Sequence, residues 1–108
     1  MIVMEDKLKA IKQVILDVAS KHSVEVDRII LFGSRARGDY SEDSDWDILV
    51  VTKRKLGDEL KWKLWDEIMR ELRKIDVDVF ITDVDSFRKY KSVPGTLERY
   101  SVLEGMIL

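Results

Sequence analysis

The stretch Phe32–Val50, FGSRARGDYSEDSDWDILV, sets two arginines and five carboxylates between two apolar runs. The first run, Arg28–Phe32 (RIILF), stops at Gly33; the second, Trp46–Thr52 (WDILVVT), is rich in β-branched residues. Short apolar runs bounded by turn residues predict buried strands. Gly33-Ser34 is then the turn leaving the first strand, and Asp45-Trp46-Asp47 the entry to the second. Side chains alternate faces along a strand, so Asp45 and Asp47 share one side and Trp46 takes the other. Two like charges held about 7 Å apart or less repel, unless a cation lies between them or water screens them. Asp76 and Asp78 repeat the spacing on a third predicted strand, Asp76–Thr82 (DVDVFIT). If the two strands are neighbours, three or four carboxylates converge. Asp83-Val84-Asp85 has the same spacing, but reads as a turn in which Asp83 or Asp85 caps a following helix; Glu42 and Asp43 read as loop charges.

Outward from these strands the order is αβ(α)βαβα. Met4–His22 carries Leu8, Ile11, Ile15 and Val18 at helical spacing, and Leu56–Ile75 carries Leu60, Leu64, Trp65, Ile68 and Leu72. A turn at Pro94-Gly95 precedes Leu97, Tyr100 and Leu103, again at helical spacing. These stripes, and the three tryptophans with them, read as core packing. The expectation is an α/β (α+β) fold, a small mixed β-sheet flanked by helices, in one domain spanning residues 1–108. An exposed part of the apolar tail, Val102–Leu108, offers a docking surface.

Composition narrows the chemistry. With 21 acidic and 19 basic residues the net charge is −2, which gives no global field to attract nucleic acid. Cysteine is absent and His22 is the single histidine, so disulfides, thiolate metal sites and a Ser-His-Asp triad are excluded or disfavoured. Any metal is held mainly by oxygen. No apolar run has the roughly 20 residues a membrane span needs, and Glu5 and Asp6 do not suit a secretory signal, so a cytoplasmic location is expected. The 37% charged content resembles a thermophile's surface.

Gly33 permits positive φ or close backbone approach, and the Ser34 hydroxyl can cap a helix or donate to a phosphate. A short helix over Ser34–Gly38 would aim its amides at an anion, with the guanidinium forks of Arg35 and Arg37 nearby. Taken alone, Gly-Ser reads rather as a plain strand-to-helix turn with solvated arginines. The joint pattern suits a nucleoside triphosphate bound through its phosphates and Mg²⁺, since Mg²⁺ takes one or two carboxylates plus substrate phosphates.

Gly33-Ser34, ten residues, then Asp45-Trp46-Asp47, with RARGDYSEDS between, resembles the signature of the DNA polymerase β-like nucleotidyltransferase superfamily. The nearest branch is the minimal nucleotidyltransferases. The resemblance implies the polymerase β-like nucleotidyltransferase fold, with Gly33 and Ser34 contacting the triphosphate and Asp45 and Asp47 ligating two Mg²⁺ ions. It makes Asp78 the third carboxylate, with Asp76 as fallback. Arg35 and Arg37 match common motif positions; their role is to bind phosphate, or, for Arg37, to pair with loop acids. The implied reaction transfers AMP from ATP to a hydroxyl, such as a tyrosine of a small helical HEPN-type partner, an antitoxin role in a hetero-oligomer. The alternatives are neutralisation by binding alone, and transfer to a small molecule or an RNA end.

Overall fold

The acidic stretch joins two strands that lie side by side at the middle of one sheet. The computed structural model describes residues 4–108. The elements are α1 (Met4–Lys21), β1 (Val26–Phe32), α2 (Ser34–Arg37), β2 (Trp46–Thr52), α3 (Asp58–Glu71), β3 (Val77–Asp83), α4 (Val84–Tyr90), α5 (Leu97–Glu104) and β4 (Met106–Ile107). The sheet order is β3-β2-β1-β4. β1 runs antiparallel to β2 and β4, whereas β2 and β3 are parallel, so the sheet is mixed as expected.

Both sheet faces are covered, which explains why β2 reads as an almost unbroken apolar run. On one face Leu31, Ile48, Val50 and Val79 pack with Ile11 and Ile15 of α1 and with Leu64 and Ile68 of α3. On the other, Ile30, Phe32, Leu49 and Val51 meet Phe87 of α4. Each such side chain, fully buried, contributes about 1.5–3 kcal/mol. Asp47 alone in β2 is not fully buried.

Several expectations change. The helix predicted over Leu56–Ile75 occupies Asp58–Glu71, after the extended Gly57. Two helices, not one, follow β3, and the tail adds the two-residue strand β4. Asp83, not Asp85, caps α4, accepting from the Ser86 N–H at 3.0 Å and its hydroxyl at 2.9 Å. The Leu97, Tyr100 and Leu103 stripe faces solvent, and the buried residue of α5 is Ser101. The cause is a tertiary contact: Gly105 passes so close to the Ser101 carbonyl and the Ile30 side chain that a Cβ there would collide with both, so α5 turns its small side inward. Of the tryptophans, Trp46 is core, but Trp62 is 61% exposed. Trp65 is partly exposed and donates its indole N–H to the Val79 carbonyl at 3.0 Å, blunting the open edge of β3. Among the described residues no helix is long and apolar enough to cross a membrane.

Candidate active site

Strand pairing assembles the acidic site. Phe32, the last residue of β1, is opposite Asp47, and Asp47 is opposite Asp78 on parallel β3. Neighbouring strands lie about 4.8 Å apart, so the two carboxylates leave the same sheet face side by side. Asp45, just before β2, joins them from the loop and comes within hydrogen-bonding reach of Asp78. Asp76 lies outside β3; its carbonyl accepts from the Trp46 N–H at 2.8 Å, and its side chain is exposed.

The carboxyls are under-neutralised. Burial, then the charges of Asp78, Asp45 and Glu104, raise Asp47 above the usual carboxylate value, with Arg37 pulling weakly the other way. Asp78 is raised by partial desolvation and then by Asp45. Excess negative charge on an oxygen-only donor set fits a hard divalent cation. Among the described residues no group of three or more Asp, Glu, His or Cys side chains is placed to hold a metal ion. Mg²⁺ usually takes one or two carboxylates and completes its shell with water and phosphate oxygens.

Gly33 sits between β1 and α2 at φ 77°, ψ −161°, a region open to glycine alone. A Cβ here would strike the Asp47 carboxylate. The glycine therefore lets the turn close onto the acid. Its carbonyl accepts from Ala36 N and Arg37 N at 3.1 and 3.0 Å, starting α2, which ends at Gly38 in the left-handed region. Ser34 opens this four-residue helix.

Both arginines are engaged within the protein. The Arg35 guanidinium lies 4.4 Å from the Trp46 ring centroid and 4.5 Å from that of Tyr40, and donates to the Ser44 carbonyl at 3.1 and 3.2 Å. It folds the 39–44 loop back over β2. Arg37 pairs with the loop acid Asp39 at 3.3 Å, one of the two roles anticipated for it, and donates to both oxygens of Glu104 at 3.0 and 3.1 Å. Glu104 also accepts from the Gly33 N–H at 3.0 Å. Glu104 escapes sequence reasoning because its partner is 67 residues away; its one local signal is its place before Gly105 in the tail.

Further along β3 on the same face, a cleft of about 250 Å³ runs from Phe80 past Thr82 to Tyr90 and Glu98. Its lining does not include Asp45, Asp47 or Asp78.

Residues 13–97 match the family model described as polymerase beta, nucleotidyltransferase. A relative from Methanocaldococcus jannaschii, "Putative protein adenylyltransferase MJ0604", is 56% identical over 43 residues, which is 40% of this chain and 43% of that protein. The chain thus matches under half the length of this curated relative. Among solved structures, a "putative minimal nucleotidyltransferase" has a TM-score of 0.60 at 25% identity, covering 95% of this chain and 94% of that one. A toxin-antitoxin structure with AMP-PNP has a TM-score of 0.54 at 26% identity, covering 88% and 69%.

Proposed function

Because the chain belongs to the polymerase β nucleotidyltransferase family, we propose that it is an Mg²⁺-dependent nucleotidyltransferase that moves AMP from ATP onto a hydroxyl. The acceptor we propose is a tyrosine of a small helical HEPN-type protein, which the chain would neutralise as an antitoxin. The observation that carries this reading is the register of Asp47 on Asp78 against the Gly33 turn, with both carboxyls raised by burial and by neighbouring acids. The adenylyltransferase relative and the toxin-antitoxin neighbour with AMP-PNP support the choice of nucleotide and of partner.

In this reading Asp45, Asp47 and Asp78 hold the metal, and Gly33 and Ser34 receive the triphosphate. Bound Mg²⁺ supplies activation of the attacking hydroxyl and neutralises the leaving pyrophosphate. The chain itself positions and orients. Across the sheet the triphosphate turn is at the end of β1 and Asp78 on β3, so a hydroxyl attacking in line, opposite the pyrophosphate, approaches from the β3 side. Arg35 keeps the 39–44 loop folded, which sets Asp45 at the mouth of the site.

The test is incubation with ATP labelled at the α-phosphate, Mg²⁺ and the product of the adjacent gene, read by intact mass. A gain of about 329 Da per AMP transferred is expected, with pyrophosphate as the other product. Asp47→Asn should abolish it; a mutant that still transfers label removes Asp47 from the mechanism. Neutralisation by binding alone is the second reading, favoured by the exposed Tyr100, Leu103 and Ile107. It predicts that Asp47→Asn still suppresses the partner.

A further inference from the structure

We propose that Glu104 is a positioning residue for the triphosphate turn, fixing Gly33 and Arg37 in the shape that receives nucleotide and staying in place when it arrives. This rests on the nucleotidyltransferase reading of the same site. The turn has little to hold it by itself. α2 has four residues, far fewer than a helix needs to be stable alone, and Gly33 has glycine's full backbone freedom. Glu104 meets both weaknesses with one carboxylate. Its oxygens take the Gly33 N–H at 3.0 Å, at the start of the turn, and share the Arg37 Nη1 at 3.0 and 3.1 Å, at its end. These are charge-assisted hydrogen bonds, the strong kind.

The backbone behind Glu104 is fixed to the strand that ends in the same turn. The Gly105 N–H donates to the Ser101 carbonyl at 2.9 Å, Met106 and Ile107 pair with Leu31 and Ile30, and the Leu108 N–H donates to the Ile29 carbonyl at 2.9 Å. Gly105 itself has no room for a side chain. The tail is therefore a staple across β1, not a loose flap, and the Glu104 side chain is only 19% exposed. An acid beside Asp47 works against the site's charge balance. Its presence there is accounted for by the hydrogen bonds it makes to the turn and by Arg37, which neutralises it.

The alternative is a placeholder, a carboxylate standing where a phosphate will sit and expelled by it. The two differ in sign. Titration calorimetry with Mg²⁺ and the α,β-methylene analogue of ATP, run where circular dichroism shows each protein folded, separates them. Glu104→Ala should weaken binding about tenfold or more. Glu104→Gln, which keeps an oxygen for the Gly33 N–H but loses the charge that pairs with Arg37, should lose clearly less affinity than alanine. If Glu104→Ala binds as tightly as wild type, or more tightly, the proposal is wrong; equal losses in Gln and Ala also overturn it. Should the alanine variant not fold, Glu104→Asp takes its place: one methylene shorter, it should lose affinity as alanine would, and wild-type affinity would overturn the proposal. A wild-type chain that binds no Mg²⁺-analogue sinks the nucleotidyltransferase reading as well. Binding that is indifferent to residue 104 sinks only this inference.

Discussion

Gly33 is under two constraints that a substitution can separate. Its φ of 77° and ψ of −161° disfavour any side chain, and the space a Cβ would take is filled by the Asp47 carboxylate. Gly38 has φ 90° but open space around it, so it carries only the conformational constraint. Gly33→Ala should therefore cost about 2–3 kcal/mol and displace Asp47, whereas Gly38→Ala should cost about 1–2 kcal/mol. Urea denaturation of the two variants measures the difference, and equal losses would mean that Asp47 moves aside freely. Asp47 is the converse case, a residue whose removal relieves the fold. Burial and the charges of Asp78, Asp45 and Glu104 disfavour its ionised form. Asp47→Asn should thus abolish transfer while leaving the neutral-pH melting temperature unchanged or raised by about 2–5 °C. A fall of several degrees would show that the carboxylate is a structural group.

At the scale of elements, the cap of α4 is a local device with a definite pH signature. Burial pushes the Asp83 carboxyl up, but the Ser86 N–H, the Ser86 hydroxyl and Lys55 outweigh it, and the net position is below the ordinary 3.8. Its stabilisation is complete above the unfolded value and is lost as pH falls through the lowered native one. Asp83→Ala should cost about 1–2 kcal/mol at pH 7, with the gap from wild type narrowing in denaturation at pH 3. Such devices were legible because they are local, as were the strands β1 to β3 and the Gly-Ser and Asp-x-Asp spacings. Periodicity identified α5 as a helix but could not say which side of it packs. Leu97, Tyr100 and Leu103 point outward because contact between Gly105 and Ile30 decides, and no local pattern encodes that. β4 is two residues long and exists only by pairing with β1. The Arg35 stack on Trp46 and Tyr40 and the Arg37–Glu104 pair were out of reach for the same reason.

For the whole molecule, 21 acids and 19 bases nearly cancel, so its electrostatics are set by where charge gathers. It gathers at one end of the sheet, where Asp47 and Asp78 both titrate above 3.8. The sign follows from linkage. Between 3.8 and the raised values the native state binds more protons than the unfolded chain, so stability falls as pH rises through that window and the full penalty remains above it. If the cluster holds Mg²⁺ with a triphosphate, as proposed, the trend should reverse, because a ligand of the ionised carboxylates adds stability by mass action, about 2.7 kcal/mol at a ligand concentration 100 times Kd. Melting curves from pH 4 to pH 8, for wild type and for Asp47→Asn/Asp78→Asn, isolate the cluster by difference. Without divalent ions wild type should lose ground to the double variant as pH rises. With Mg²⁺ and the methylene analogue it should gain, and EDTA should return it to the first curve. If the difference between the two proteins is flat in pH and indifferent to Mg²⁺, the acids at the start of β2 and β3 are solvated strand ends and hold no metal.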